Sequence, residues 1–152
     1  MQDKKSSFLE ISMAADPISV RLLRTEVLRW FNGQGVGDDD MAAGIALATS
    51  EAVGNVVRHA YATDGGRVEL SAERRDDDIL VRVADSGLGL TARSGTRTGL
   101  GLPVIGRVSN GVTVASDSAG TTVSMRFALR SPPPRPRLDR FSTRQRPLIG
   151  IG

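Results

Sequence analysis

The chain contains no cysteine and only one histidine. Disulfide bonds and thiolate metal sites are therefore excluded, and a zinc site with several histidines cannot form. Aromatic residues make up 4% of the 152 residues, which argues against a stacking platform for single-stranded nucleic acid. No apolar run approaches the roughly 20 residues of a membrane-spanning helix, and no signal-peptide core follows the charged N-terminus. We expect a cytoplasmic protein in a reducing compartment.

The net positive charge of the chain comes from its last segment. The formal net charge is +3, and residues 131–152 alone carry five arginines against one aspartate. The same segment holds five of the seven prolines, which lack the backbone donor that helices and central strands need. We predict one compact domain over residues 1–130 and a disordered tail over residues 131–152. A solvating tail is favoured over a partner-binding or nucleic-acid-binding arm, so we do not expect direct contact with nucleic acid.

Hydrophobic periodicity predicts a short strand followed by two helices. Residues 8–12 alternate as a strand, and Asp16-Pro17 is a helix-start signal for a first helix that ends near residue 31. The acidic residues 38–40 are suited to cap a second helix, predicted over residues 40–61.

The second half of the chain predicts two hairpins and one more helix. Period-two alternation pairs residues 67–72 with 79–84, and residues 112–116 with 122–129. An irregular segment rich in glycine, serine and threonine precedes a helix over residues 102–109. This order contains no repeated βαβ unit. We predict an α+β two-layer sandwich, with a mixed or antiparallel sheet and helices on one face.

The second predicted helix carries three polar residues on one line. Glu51, Asn55 and His59 stand at i, i+4 and i+8, and so project from one face over about two turns. An asparagine amide oxygen can complete the oxygen shell that Mg²⁺ demands, and a glutamate one turn earlier can accept a proton from a hydroxyl or water. An ordinary solvent face is the alternative interpretation of this line.

Three glycine-containing turns follow the helix. In the segment Asp85 to Gly89, the carboxylate can accept the exocyclic amine of adenine, and the glycines let the backbone approach a flat base. Gly99-Leu100-Gly101 stands before a helix, where free amides attract phosphate. Gly120-Thr121-Thr122 opens the last strand, where a hydroxyl can reach the base. Each turn taken alone is equally compatible with an ordinary loop or cap.

Taken together, the motifs have the order and separation of a known set. ExxxNxxxHAY at 51–61, DxGxG at 85–89, GLGL at 99–102 and GTTV at 120–123 resemble the ATPase domain shared by GHKL proteins. That group includes gyrase, a heat-shock chaperone, histidine kinases and mismatch-repair ATPases. The resemblance covers roughly residues 8–129, and within the group the chain looks most like bacterial anti-sigma factor serine kinases of the RsbW and SpoIIAB kind. It implies the Bergerat ATP-binding fold.

The resemblance also implies a role for each matching residue. Glu51 would be the general base, Asn55 the Mg²⁺ ligand and Asp85 the adenine reader, and His59 would have a structural role. Residues 90–98 would form a lid over ATP. The remaining nucleotide contacts would come from Gly87 and Gly89 beside the base, Arg93 or Arg97 at the γ-phosphate, Gly99, Leu100 and Gly101 at the phosphates, and Thr122 at the adenine.

Two functions follow from the resemblance. The first is an ATP- and Mg²⁺-dependent serine kinase that sequesters a sigma factor and phosphorylates an anti-sigma antagonist of the STAS type. The second is a non-catalytic switch that binds nucleotide and a partner without phosphoryl transfer. A histidine-kinase catalytic part is less favoured, because the sequence lacks a long helical dimerisation segment. A homodimer is compatible with the resemblance.

Overall fold

A computed structural model describes residues 6–60, 66–86 and 102–129 of the chain. It contains three α-helices, one π-helical turn and five strands in these ranges. In chain order they are β1 Phe8–Ala14, α1 Pro17–Gly33, α2 Asp39–Asn55, the π-turn Val56–Ala60, β2 Arg67–Arg74, β3 Asp78–Asp85, α3 Leu102–Val108, β4 Gly111–Asp117 and β5 Gly120–Ala128.

The five strands form one sheet in the order β1-β2-β3-β5-β4. All four pairings are antiparallel, which decides between the mixed and the antiparallel sheet that the sequence left open. Both predicted hairpins are confirmed, and β3 and β5 pair through the middle of the sheet. One cross-strand row illustrates the register: Ile11, Leu70, Val83, Val123 and Val114.

The helices cover one face of this sheet, as predicted. Strand residues alternate between the two faces, so every second side chain enters the core. Leu70, Val81 and Met125 are fully buried on the helix-covered face, whereas Glu69 and Arg126 are exposed on the other. The helices contribute the other half of the core through Leu23, Val27, Phe31, Ile45, Ala48, Ala52, Val53 and Ile105.

Both long helices begin where the sequence predicts. Asp16 stands before α1 with Pro17 in the first turn, and the Ser19 hydroxyl accepts the Asp16 N–H at 3.1 Å. Asp38 caps α2, because its side chain accepts the backbone N–H of Met41 at 2.9 Å. Such contacts satisfy donors that the first helical turn leaves free.

The end of α2 differs from the prediction of one continuous helix to residue 61. The α-helix ends at Asn55, and residues Val56–Ala60 form a π-helical turn. A π-turn bonds i to i+5 and is wider than an α-turn, and such turns are frequent at functional sites. Apolar periodicity did not reveal it, since Val56 and Val57 continue the pattern of the core face. Tyr61 lies outside the described residues.

Two helical glycines provide a test of how closely α2 and α3 pack. A Cβ at Gly44 would lie 3.0 Å from the Val108 carbonyl oxygen, whereas a Cβ at Gly106 would meet nothing within 4 Å. Alanine in a helix is favoured over glycine by about 0.5–1 kcal/mol, but overpacking costs about 1–3 kcal/mol. We therefore expect Gly106→Ala to raise the free energy of unfolding and Gly44→Ala to lower it, as measured by urea denaturation. Equal effects would contradict the close approach of the two helices.

Candidate functional site

Two predicted site residues lie one turn apart at the C-terminal end of α2. Glu51 is half-buried, and Asn55 has only 9% of its surface exposed. Between them in sequence, Ala52 and Val53 are buried in the core. Glu51 and Asn55 therefore lie at the border between the buried and the accessible face of the helix. Side chains at such a border can reach a ligand while they are partly shielded from water.

Arg58 contacts this end of the helix from the π-turn. Its Nη2 donates to the Asn55 Oδ1 at 3.4 Å. The guanidinium lies over Gly54, where an added Cβ would be 3.4 Å from the same nitrogen. The amide oxygen of Asn55 is thus turned towards a cationic donor. The side chain of His59, the third residue of the predicted line, lies outside the described part of the chain.

Asp85 ends β3 on the helix-covered face of the sheet. It is half-buried, and its cross-strand neighbours are Val68 on β2 and Thr121 on β5. Among the strand residues that the structure describes, it is the only carboxylate on this face. The other acidic strand residues point to the opposite face of the sheet. A single half-buried carboxylate on this mostly apolar sheet face is unusual for a residue with only a structural role.

The π-turn that follows α2 packs against β3, the strand that ends at Asp85. The π-turn contacts β3, and the chain then reaches Gly66 within six residues of Ala60. Gly66 accepts the N–H of Ala15 at 2.9 Å, and β2 begins directly after it beside the end of β3. The structure thus connects the end of α2, which carries Asn55, with the strand that carries Asp85, and a shared cavity for the two side chains stays a prediction.

The sheet register places Thr121, and not Thr122, beside Asp85. Thr122 pairs with Ala84, and its side chain belongs to the face that the helices leave open. Thr121 pairs with Asp85, and it lies on the same core-facing side of the strand as Val123. Adjacent strand residues point to opposite faces, so Thr121 is a second candidate for a contact with the base, and Thr122 stays a prediction.

Gly120 permits the close approach of β5 to the end of β3. Its φ is +144°, a conformation that side chains disfavour. An added Cβ would lie 1.9 Å from the Asp85 carbonyl oxygen and 3.0 Å from the Ser86 Cα. The turn between β4 and β5 therefore packs directly against the backbone that carries the carboxylate.

The other predicted nucleotide contacts lie outside the described residues and stay predictions. They are Gly87, Gly89, Arg93, Arg97, Gly99, Leu100 and Gly101. Within residues 6–60, 66–86 and 102–129, no three His, Cys, Asp or Glu side chains come together to hold a metal ion. In the same ranges, no helix has the length and apolarity needed to cross a membrane.

Sequence reasoning missed three residues of this site. That Thr121 points to the core could have been predicted, because it alternates in step with the apolar residues Val123 and Met125, but its pairing with Asp85 could not. Arg58 could not, since its position depends on the π-turn. Gly120 was noted only as part of a turn, and its importance comes from the neighbouring strand end, which is far away in sequence.

Comparison with known proteins identifies the family of the chain. Residues 13–127 match the histidine kinase-like ATPase domain family. The chain belongs to this family.

Within the family, the chain resembles RsbW-type proteins. It is 25% identical over 143 residues to a serine-protein kinase RsbW of Bacillus mycoides, covering 84% of this chain and 89% of the relative. It is 30% identical over 137 residues to a serine-protein kinase RsbW of Staphylococcus epidermidis, covering 78% and 84%. An anti-sigma F factor of Clostridium acetobutylicum is 31% identical over 100 residues, covering 56% and 70%.

Solved structures show the same fold. A crystal structure of RsbU and RsbW domains from Mycobacterium tuberculosis matches 84% of this chain with a TM-score of 0.67 and 27% identity. The match covers 34% of that longer chain. The histidine kinase domain of a blue-light activated kinase from Erythrobacter litoralis matches 59% of this chain and 45% of that chain, with a TM-score of 0.50. At 22% identity, this second likeness concerns the fold alone.

Proposed function

We propose that the chain is an ATP- and Mg²⁺-dependent serine kinase that binds a sigma factor and phosphorylates an anti-sigma antagonist of the STAS type. The observation that carries the proposal is the contact of the π-turn, which directly follows Glu51 and Asn55 on α2, with β3, the strand that ends at Asp85. The names of the relatives, serine-protein kinase RsbW and anti-sigma F factor, support the choice of substrate and partner. A sigma-factor partner would also place the protein in the cytoplasm.

The residues present fit a Mg²⁺ ion that is shared with a nucleotide. Mg²⁺ prefers oxygen ligands and is usually held by one or two protein groups together with phosphates and water. The Asn55 Oδ1 is such an oxygen, and it already accepts from the Arg58 guanidinium at 3.4 Å. Bound Mg²⁺ would neutralise charge on the phosphates. Arg58 would have to leave the amide oxygen, and its guanidinium could then turn to the phosphates.

Glu51 is proposed as the general base. Its carboxylate would accept the proton of a serine hydroxyl as that oxygen attacks the γ-phosphorus and the bond to the β-phosphate oxygen breaks. The half-buried position of Glu51 limits its freedom to move, and the neighbouring Asn55 is one helical turn away. Phosphoryl transfer depends mainly on positioning and charge neutralisation, which this small set of groups can supply.

Asp85 and Thr121 are proposed to recognise the adenine. A carboxylate accepts a hydrogen bond from the exocyclic amine, and the threonine hydroxyl can serve a second position on the base. The predicted contacts of Gly87, Gly89, Gly99, Leu100 and Gly101, and of Arg93 or Arg97, would complete the site from residues 87–101.

The kinase proposal is tested by label transfer. The protein is incubated with Mg²⁺ and ATP labelled at the γ-phosphate, together with candidate STAS-type antagonist domains, and ATP binding is measured in parallel. We expect label on a serine of one antagonist. If ATP binds and no antagonist is labelled, the chain is a nucleotide-binding switch without transferase activity. A chain that binds no ATP would contradict the nucleotide site itself.

The domain boundary and the oligomeric state remain part of the proposal. The family match ends at residue 127, which supports a separate tail over residues 131–152. Homodimerisation is expected from the resemblance and can be measured by analytical ultracentrifugation of the full chain.

A further inference from the structure

Two hydroxyl groups contact each other beside Asp85. The Ser116 Oγ and the Thr121 Oγ1 are 2.9 Å apart, and either can be the donor. Ser116 lies on the edge strand β4 and Thr121 on the neighbouring strand β5, where the two residues are cross-strand partners. Both are half-buried.

The pair continues a polar row across three strands. Asp85 on β3, Thr121 on β5 and Ser116 on β4 are neighbours in register on the helix-covered face. The next row on that face, Val83, Val123 and Val114, is entirely aliphatic. Polarity therefore begins at the end of the sheet that carries the proposed base site.

We propose that Ser116 is a positioning residue that orients the Thr121 hydroxyl for the recognition of adenine. The inference rests on the proposed function and extends it to the edge strand. A hydroxyl has one donor and two acceptor positions. When the Ser116 hydroxyl donates to the Thr121 Oγ1, the proton of Thr121 is left to donate elsewhere.

This orientation matches the edge of adenine. The exocyclic amine of adenine is a donor, and the ring nitrogen N1 beside it is an acceptor. The Asp85 carboxylate can only accept, so it suits the amine, and the oriented Thr121 hydroxyl can donate to the ring nitrogen, directly or through one water. Hypoxanthine has a carbonyl in place of the amine and an N–H at the ring position. It would present an acceptor to the carboxylate of Asp85 and a donor to the oriented hydroxyl.

A merely structural hydroxyl pair would behave differently. Cross-strand Thr–Ser pairs stabilise sheets modestly without any ligand. Such a role would lower the stability of the domain and affect all nucleotides alike. The proposed role changes the preference between two bases, and it acts only through Thr121.

The test is a double-mutant cycle that is read out by base preference. Dissociation constants for ATP and for inosine triphosphate, each with Mg²⁺, are measured for the wild type, Ser116→Ala, Thr121→Val and the double variant. Ser124→Ala serves as a control, because Ser124 is a half-buried serine that lies on the same strand as Thr121 but on the opposite face of the sheet. Thermal unfolding of each variant reports whether it is folded.

We expect Ser116→Ala to weaken ATP binding by about 3–10-fold, the range for one oriented hydrogen bond, with little change for inosine triphosphate. The double variant should be no weaker than Thr121→Val, Ser116→Thr should restore the preference, and Ser124→Ala should match the wild type. Equal losses for both nucleotides, or additive losses in the double variant, would overturn the inference while leaving ATP binding established. A wild-type protein that binds no ATP would overturn the proposed function as well.

Discussion

Glu51→Gln is expected to bind Mg²⁺ and ATP nearly as well as the wild type and to lose phosphoryl transfer by roughly 10²–10⁴-fold, the usual contribution of a general base. Glutamine keeps the size of the side chain but cannot take the proton. The loss should be confined to kcat, because the proposed role of Glu51 belongs to the transition state. Single-turnover transfer to the antagonist, together with nucleotide titration, measures both quantities.

Asn55→Ala is the comparison that separates the two roles on α2. Removing the amide oxygen should weaken ATP binding about 10–100-fold in the presence of Mg²⁺, and much less in the presence of a chelator. Glu69→Gln and Asn32→Ala are matched controls, since both residues are exposed and lie on other elements. If Glu51→Gln and Asn55→Ala behaved alike in binding and in transfer, the assignment of base and metal ligand would be wrong.

Gly120→Ala should have the largest effect among single methyl additions in the described part of the chain. The added Cβ would overlap the Asp85 carbonyl oxygen at 1.9 Å, and the φ of +144° is strained for any residue with a side chain. Strain of about 1–3 kcal/mol from φ and a similar overpacking cost should lower the free energy of unfolding by about 2–5 kcal/mol. Because Asp85 and Ser86 must move, ATP binding should fall at least tenfold.

Gly111→Ala is the matched control for that substitution. Gly111 also lies in a strand near a turn, but a Cβ there would meet only the Arg126 side chain, with Nε at an ordinary 3.7 Å and Nη2 at 4.0 Å. We expect nearly unchanged urea denaturation and ATP titration for Gly111→Ala. A Gly120→Ala protein with wild-type stability and ATP affinity would show that the two strands can separate without cost, against the geometry described for Asp85.

The elements of the fold were predictable because each has a local physical signature. Asp16-Pro17 and Asp38 mark the starts of α1 and α2, and these starts were confirmed with their capping contacts. Alternation predicted both hairpins, which pair with Leu70 opposite Val83 and Val114 opposite Val123. Burial of every second strand residue is a local consequence of the pleat, so the core-facing residues could also be predicted.

Part of the candidate site depends on contacts that no local sequence pattern predicts. The pairing of Asp85 with Thr121 depends on the register between β3 and β5, two strands separated by more than 30 residues. The sequence named Thr122, which stays a prediction, and only this register shows that Thr121 is the neighbour of Asp85. The approach of Arg58 to Asn55 depends on the π-turn.

The amino-acid sequence by itself determined the α+β class, the order of the elements, the core-facing residues and the candidacy of Glu51, Asn55 and Asp85. These follow from periodicity, capping and motif spacing, which act over a few residues. Only the tertiary structure decided which threonine lies beside Asp85, why Gly120 must be glycine, and that the amide of Asn55 meets Arg58. Those features arise from strand register and from close packing between segments that are distant in sequence. Local propensity does not encode contacts between such segments.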